Sequence, residues 1–295
     1  MVENKNETFY KEKVDSLKNM MEMTTRYLED VQQELETAKK ELEQKNKEFM
    51  QSVAYAENIQ QNLLPETSKK YCSLTEFIPF VKQRDRIGGD MIFSKGDTDH
   101  LCFGLLDCTG HGIPGALISM MGHAFLSQMD EDTTKNDPAE MLNQLDEKVR
   151  AFFQNNKNQR FMHDGMDAAL CCIDFEAAKL SYATAGRPIW IRQKNDWRRI
   201  KPNKISIGGK FMGKFENQKI NISKGDEIFL FSDGLADQFG GPRDKKFLTK
   251  RVLRELNNKE VESFKERLSN LDTSLNKWRG KTEQTDDISY LAIKI

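Results

Sequence analysis

Between residues 14 and 63, apolar side chains recur at alternating steps of three and four. The positions are Val14, Leu17, Met21, Thr24, Leu28, Val31, Leu35, Ala38, Leu42, Lys45, Phe49, Ser52, Ala56, Ile59 and Leu63. Only Thr24, Lys45 and Ser52 among them are polar, and no glycine or proline interrupts the run before Pro65. A straight helix repeats every 3.6 residues and drifts off such a line, so a sustained 3.5-residue repeat predicts a left-handed coiled coil. Roughly 50 residues at 1.5 Å each span about 75 Å, longer than a domain of this size is wide. No matching long helix follows, so the expected partner is a second copy, in a parallel homodimer. Lys45 and Ser52 soften the stripe toward its C-terminal end, a place where the helix pair can change packing and pass on a signal. Pro65 is expected to end the helix. The predicted division is a dimerisation helix over 1–65 and a separate domain over 66–295.

Beyond Pro65 the pattern changes to short runs. Strands are expected at Ser73–Phe80, Leu101–Leu106, Asp167–Asp174, Lys179–Ala185, Pro188–Arg192, Ile220–Ser223, Ile228–Phe231 and Ile288–Ile295. Helical spacing predicts helices at Ile113–Met129, Pro138–Gln154, Phe247–Leu256 and Val261–Trp278. In the last of these, Val261, Phe264, Leu268, Leu271, Leu275 and Trp278 form a stripe for core packing. The connections Glu176-Ala177-Ala178 and Lys224-Gly225-Asp226 are hairpin-sized, which makes the sheets mostly antiparallel. Strands, two helices, strands, two helices and a last strand describe a layered α+β domain rather than repeated βαβ units.

Composition narrows the partners. A formal net charge of -1 gives no bulk attraction to nucleic acid or an anionic membrane. The five cysteines (Cys72, Cys102, Cys108, Cys171 and Cys172) are odd in number and form no C-x-x-C pair. That usage predicts reduced thiols in a cytosolic core rather than a disulfide framework or a zinc site. No apolar stretch approaches 18 residues and the N-terminus is not signal-like, so no membrane segment is expected in this chain. Being the cytoplasmic part of a longer membrane sensor remains compatible with this.

Candidate chemistry lies at strand ends. The stretch Asp107-Cys108-Thr109-Gly110-His111-Gly112-Ile113-Pro114-Gly115 joins a buried strand to a helix. Gly110 and Gly112 permit a sharp bend, and Pro114 suits the first helical turn. Asp90 follows Gly88-Gly89, Asp233 follows Ile228–Phe231 and precedes Gly234, and Asp286-Asp287 precede the terminal strand. Taken singly these are turn residues; taken together they suggest an oxygen site for Mg²⁺ or Mn²⁺. One aspartate can bridge two such ions, whose shared water attacks phosphorus without any protein nucleophile. Arg84 and Arg86 lie close to Asp90 in sequence and are candidate phosphate contacts, the alternative being a solvated edge. His111 lies in the turn, as a candidate for proton transfer; His123 reads as packing.

The motif set resembles the SpoIIE-type branch of the PPM metal-dependent serine/threonine protein phosphatases. The matching marks are Ile59-Gln60 with Leu63-Leu64-Pro65, Gly88-Gly89-Asp90, the Asp107–Gly115 stretch, Gly165-Met166-Asp167, Phe231-Ser232-Asp233-Gly234 and Asp286-Asp287. Asp237-Gln238-Phe239-Gly240-Gly241 and the Cys-Thr after Asp107 resemble the SiaA-like group. The resemblance implies an αββα sandwich with two Mn²⁺ or Mg²⁺ ions between the sheet ends. Asp107 would bridge them, with Asp90 and the Cys108 main-chain carbonyl on one ion and Asp233 and Asp286 on the other. Asp287 would have a supporting role. The implied substrate is a phosphoserine or phosphothreonine on a small anti-sigma-factor antagonist of the STAS type, in bacterial cytoplasm. Met91-Ile92 depart from the aromatic pair that such proteins often carry after Gly-Gly-Asp.

Two other readings stand beside this one. Arg86-Ile87-Gly88-Gly89-Asp90 resembles the start of a diguanylate cyclase hairpin, although Met91 occupies a position where that enzyme needs an acid. A non-catalytic dimeric scaffold of the phosphatase fold is the third.

Overall fold

The computed structural model describes residues 2–63, 74–130, 137–154, 165–194, 196–258, 261 and 263–295. Contacts divide the chain into two units, Met1–Tyr55 and Ala56–Ile295. Helix α1 (Val2–Gln61) carries the heptad stripe. In the first unit Leu28, Leu35 and Leu42 are all exposed, at 60%, 68% and 69%. The expected stop at Pro65 and the cysteine at 72 lie outside the described residues. Gln60 is buried and Leu63 packs on the second unit's core, so the last turns of α1 are part of that unit.

The second unit begins with β1 (Glu76–Lys82), β2 (Asp90–Gly96), β3 (His100–Cys108), α2 (Gly112–Ser127) and α3 (Pro138–Gln154). There follow β4 (Met166–Asp174), β5 (Lys179–Ala185), β6 (Ile189–Gln193), β7 (Asp196–Ile200), β8 (Gln218–Asn221) and β9 (Glu227–Phe231). It closes with α4 (Asp233–Asp237), β10 (Phe239–Gly240), β11 (Lys245–Lys246), α5 (Thr249–Leu256), α6 (Phe264–Arg279) and β12 (Ile288–Lys294). One sheet has the order β1-β12-β9-β6-β7 and the other β2-β3-β4-β5-β8, with β10-β11 a small separate ribbon. Each strand pair in the two large sheets is antiparallel.

Side-chain alternation sorts these strands into three apolar layers. Along β3, Leu101, Phe103 and Leu105 join Ile228, Leu230, Leu291 and Ile293 of the other sheet in the inner layer. Cys102, Leu106 and Cys108 face outward against Leu142, Leu145 and Val149 of α3. Phe229, Phe231 and Tyr290 face the opposite way, against Val252, Phe264, Leu268 and Leu271 of α5 and α6. Strands covered on both faces must be apolar throughout, which is why Ile228–Phe231 and Leu101–Leu106 read as continuous runs. The result is the αββα sandwich. Helix α6 starts at Phe264 rather than Val261, because the Ser263 side chain accepts the Glu266 N–H and caps it there.

The thiol expectation needs a correction. Cys108 and Cys171 are free and buried, but Cys102 and Cys172 are joined as a disulfide. Antiparallel pairing of β3 with β4 sets them directly opposite, although 70 residues separate them in sequence.

Candidate metal centre

Three acids form a row across one sheet. Asp90 opens β2, Asp107 lies near the end of β3, and Asp167 lies near the start of β4. The register pairs Asp90 with Asp107 and Asp107 with Asp167. Paired Cα atoms of this kind stand about 4.5–5.5 Å apart. Parity assigns their side: Asp90 shares its face with Ile92, Asp107 with Leu105, and Asp167 with Ala169, all of the inner layer. At its open end, the inter-sheet layer therefore changes from hydrocarbon to carboxylate.

The other sheet supplies the facing side. Ser289 on β12 donates its hydroxyl to Asp90 Oδ2 at 2.7 Å, across the sheets. The Ser289 N–H donates to Ser232 Oγ and the Ser232 N–H to the Ser289 carbonyl, both at 3.0 Å, which fixes the chain just before Asp233. The buried Asp287 accepts N–H donations from Arg84 and Gly89, each at 2.7 Å. Gly88 and Gly89 are required by this approach: a Cβ on Gly88 would collide with the Asp287 carboxylate, and one on Gly89 would stand 2.8 Å from the Cys108 carbonyl. That carbonyl thus lies beside the chain leading into Asp90. Asp286 is exposed, and its Oδ1 accepts the Asp287 N–H at 2.9 Å.

The cation among these acids is Arg187, which the sequence reading did not single out. Its Nη2 lies 2.7 Å from Asp107 Oδ2 and 3.0 Å from Asp233 Oδ2, and its Nε lies 3.7 Å from Asp167 Oδ2. Asp107 Oδ2 is buried without an aligned hydrogen bond, so charge rather than geometry holds this pair. The available signal was Gly186-Arg187 after an apolar strand, which reads only as a turn. Asp167 stands in the Gly165-Met166-Asp167 motif, and only the strand register sets it beside Asp107. Ser206 donates to its Oδ1 at 2.5 Å.

Burial raises the Asp90 carboxyl to about 7, with hydrogen bonds from Ser232 and Ser289 pulling the other way. Burial also pushes Asp107 well above the carboxylate range; the Asp90 charge adds to this and Arg187 partly offsets it. Asp287 is raised by burial as well, against the N–H donations it receives from Arg84 and Gly89. These groups lack enough positive charge. Among the described residues no three acid, cysteine or histidine side chains enclose an ion-sized space, and Arg187 reaches three of the acids.

The remaining candidates divide. Arg86 pairs with Glu57 at 3.1 Å, and Arg84 reaches Asp287 through its main-chain N–H, its side chain being exposed. Gln60 donates to the Gly88 carbonyl at 2.7 Å and accepts the Gly88 N–H at 3.2 Å. It thereby clamps the loop that carries Asp90. His111 Nδ1 lies 3.0 Å from Asp85 Oδ2, with both side chains about half exposed. His123 packs edge-on against Phe93, and burial lowers its pKa. Gly88-Gly89-Asp90 runs into β2 instead of capping a hairpin, which removes the cyclase reading.

Residues 97–295 match the family model described as Stage II sporulation protein E (SpoIIE). The phosphoserine phosphatase RsbP of Bacillus subtilis is 22% identical over 244 residues, covering 81% of this chain and 57% of RsbP. The chain thus spans little more than half the length of that relative. The SiaA-PP2C domain of Pseudomonas aeruginosa superposes with a TM-score of 0.75 at 26% identity, over 85% of this chain and 98% of that domain. RsbX in complex with magnesium shares the fold, with a TM-score of 0.51 at 17% identity over 74% of this chain and 94% of RsbX. The chain belongs to the SpoIIE family and has the PP2C fold, in its SiaA-like form.

Proposed function

We propose that this chain is a metal-dependent protein-serine/threonine phosphatase acting on a phosphorylated STAS-type regulatory protein. The carrying observation is the convergence of Asp90, Asp107, Asp167, Asp233 and Asp287 on one end of the sandwich with Arg187 as their cation. A carboxyl held near 7 by burial, and a buried Asp107 oxygen without an aligned donor, fit a hard divalent cation. Two Mn²⁺ or Mg²⁺ ions, when bound, supply an acidified water for in-line attack on phosphorus. Asp107 would bridge them. Asp90 and the Cys108 carbonyl would complete one ligand set, and Asp233 and Asp286 the other. Asp287 holds the Gly89 and Arg84 amides and so keeps the Asp90 loop in place. Arg84 remains a candidate substrate-phosphate contact through its exposed side chain; Arg86 would first have to leave Glu57.

The test is phosphate release from a phosphorylated STAS-type protein, with and without Mn²⁺. Mn²⁺-dependent release that is lost in Asp107→Asn is expected. Mn²⁺ binding with no release from any phosphoserine or phosphothreonine substrate would favour the scaffold reading instead.

The same reading makes 1–65 a dimerisation helix and 66–295 the catalytic domain, in bacterial cytoplasm. Its support is the exposed stripe over residues 14–49. No described helix is long and apolar enough to cross a membrane. Light scattering should give a dimer mass that Leu28→Glu with Leu35→Glu reduces to a monomer; a monomer in the unchanged protein would reject the homodimer.

A further inference from the structure

Arg187 is delivered to the acids by a turn built for that purpose. Its N–H donates to the Ala185 carbonyl at 2.9 Å, closing a three-residue turn in which Gly186 has φ +73°. Glycine, lacking a Cβ, adopts this positive φ readily, which lets the chain turn tightly here. A Cβ at position 186 would collide with the Asp167 carboxylate, so the backbone itself lies against the acids. Asn203 secures the turn by accepting the Gly186 N–H at 2.8 Å, and Thr184 Oγ1 accepts the Asn203 N–H at 2.9 Å. The guanidinium is only 12% exposed, yet its contact to Asp107 lacks hydrogen-bond alignment.

We infer that Arg187 is a displaceable counter-ion: it neutralises Asp107 and Asp233 until divalent ions take those carboxylates, and then offers its guanidinium to the phosphoryl group of the substrate. The inference rests on the phosphatase reading above. It follows from competition for the same atoms. Asp107 Oδ2 and Asp233 Oδ2, which Arg187 Nη2 contacts, belong to two of the residues proposed above as metal ligands. A guanidinium and a metal ion repel each other and cannot share one carboxylate oxygen without loss. Arg187 therefore weakens metal binding, and metal binding releases Arg187, because such coupling is reciprocal. Once released, it remains tethered by the Gly186 turn at the mouth of the site. Its planar fork of donors suits phosphate oxygens.

The experiment is calorimetric titration of Mn²⁺ into the full chain, without substrate, for the wild type, Asp107→Asn, Arg187→Gln and Arg187→Lys. A second titration adds inorganic phosphate to the Mn²⁺-loaded proteins. Arg187→Gln should bind Mn²⁺ roughly 5–150-fold more tightly, the usual span of such couplings, and Arg187→Lys should fall between it and the wild type. Phosphate should bind the loaded Arg187→Gln protein about 10-fold more weakly, the loss of one charge-assisted contact. Unchanged or weaker Mn²⁺ binding in both variants would overturn the counter-ion role. Unchanged phosphate binding would overturn the substrate contact. If wild type and Asp107→Asn bind Mn²⁺ alike, the metal assignment itself fails; if only the Arg187 variants disagree with expectation, this inference fails alone.

Discussion

Each end of strand β9 carries a buried charge cluster, and the two are built oppositely. At its start, Glu227 meets two arginines: Arg267 pairs with Oε1, and Arg192 Nη1 lies 3.1 Å from Oε2. Arg267 also donates to the Leu256 carbonyl at 2.6 Å and stacks over Phe264, 4.9 Å from the ring centre. Past the far end of β9, Asp233 joins Asp90, Asp107, Asp167 and Asp287 around one arginine. The Glu227 end borders a cavity of about 980 Å³ that also touches Lys194, Lys224 and Lys294. By size alone that cavity would attract attention. The acid end is distinguished by charge that its own residues do not balance. A buried carboxylate with a cation on each oxygen is explained by folding, whereas acids that outnumber their cations imply something else to bind.

Four measurements break or sharpen this contrast. The largest effect is expected from Asp107→Asn: phosphatase activity should fall by at least ~10³-fold, more than about 4 kcal/mol of transition-state stabilisation. Its melting temperature without metal should change little, since burial already disfavours the Asp107 charge and Asp233 still pairs with Arg187. At the Glu227 end, Glu227→Ala leaves Arg267 buried without its carboxylate, so unfolding should become easier by ~3–5 kcal/mol in urea titration. Activity per folded molecule should be retained there; a specific activity loss comparable to that of Asp107→Asn would erase the distinction.

Asp90 gives the next effect, with a defined sign. Its carboxyl is raised to about 7 in the folded protein. Protonated Asp90 therefore contributes stability that is full below the unfolded carboxylate value near ~3.9. That contribution is lost as pH rises through about 7. Metal-free protein should lose stability over this window, and Asp90→Asn should recover ~2–4 kcal/mol of it at pH 8 while weakening Mn²⁺ binding. A flat pH profile shared by both proteins would place the Asp90 ionisation elsewhere. The smallest effect is that of Gln60→Ala. It removes the clamp on Gly88 without touching an acid, and should lower activity by ~10–100-fold, as loss of an outer-shell support does. Restoration by Gln60→Glu would argue that the amide donor to the Gly88 carbonyl is not needed.

Much of the fold was legible because each strand run declares its own burial. Ile228–Phe231 and Leu101–Leu106 are apolar at every position, as strands sealed on both faces must be. The short strand β7 and the ribbon β10–β11 gave no such signal: Asp-Trp-Arg-Arg-Ile and Lys245-Lys246 are largely exposed. The acids Asp90, Asp107, Asp233 and Asp287 are legible as candidates because each stands beside a glycine turn or a strand end. Arg187 and Asp167 are not, since their neighbours in sequence say nothing of their neighbours in space. Arg86 drew notice by proximity to Asp90, yet its partner is Glu57.

By itself, the sequence determined the heptad stripe, the alternation of layers and the places where the chain must bend, because periodicity and turn chemistry act within a few residues. The tertiary structure alone decided the strand register. Register set Asp107 between Asp90 and Asp167, brought Cys102 opposite Cys172, and left Arg187 facing the acids. Such pairings join residues tens of positions apart, and each depends on how two sheets close over one core rather than on any local preference.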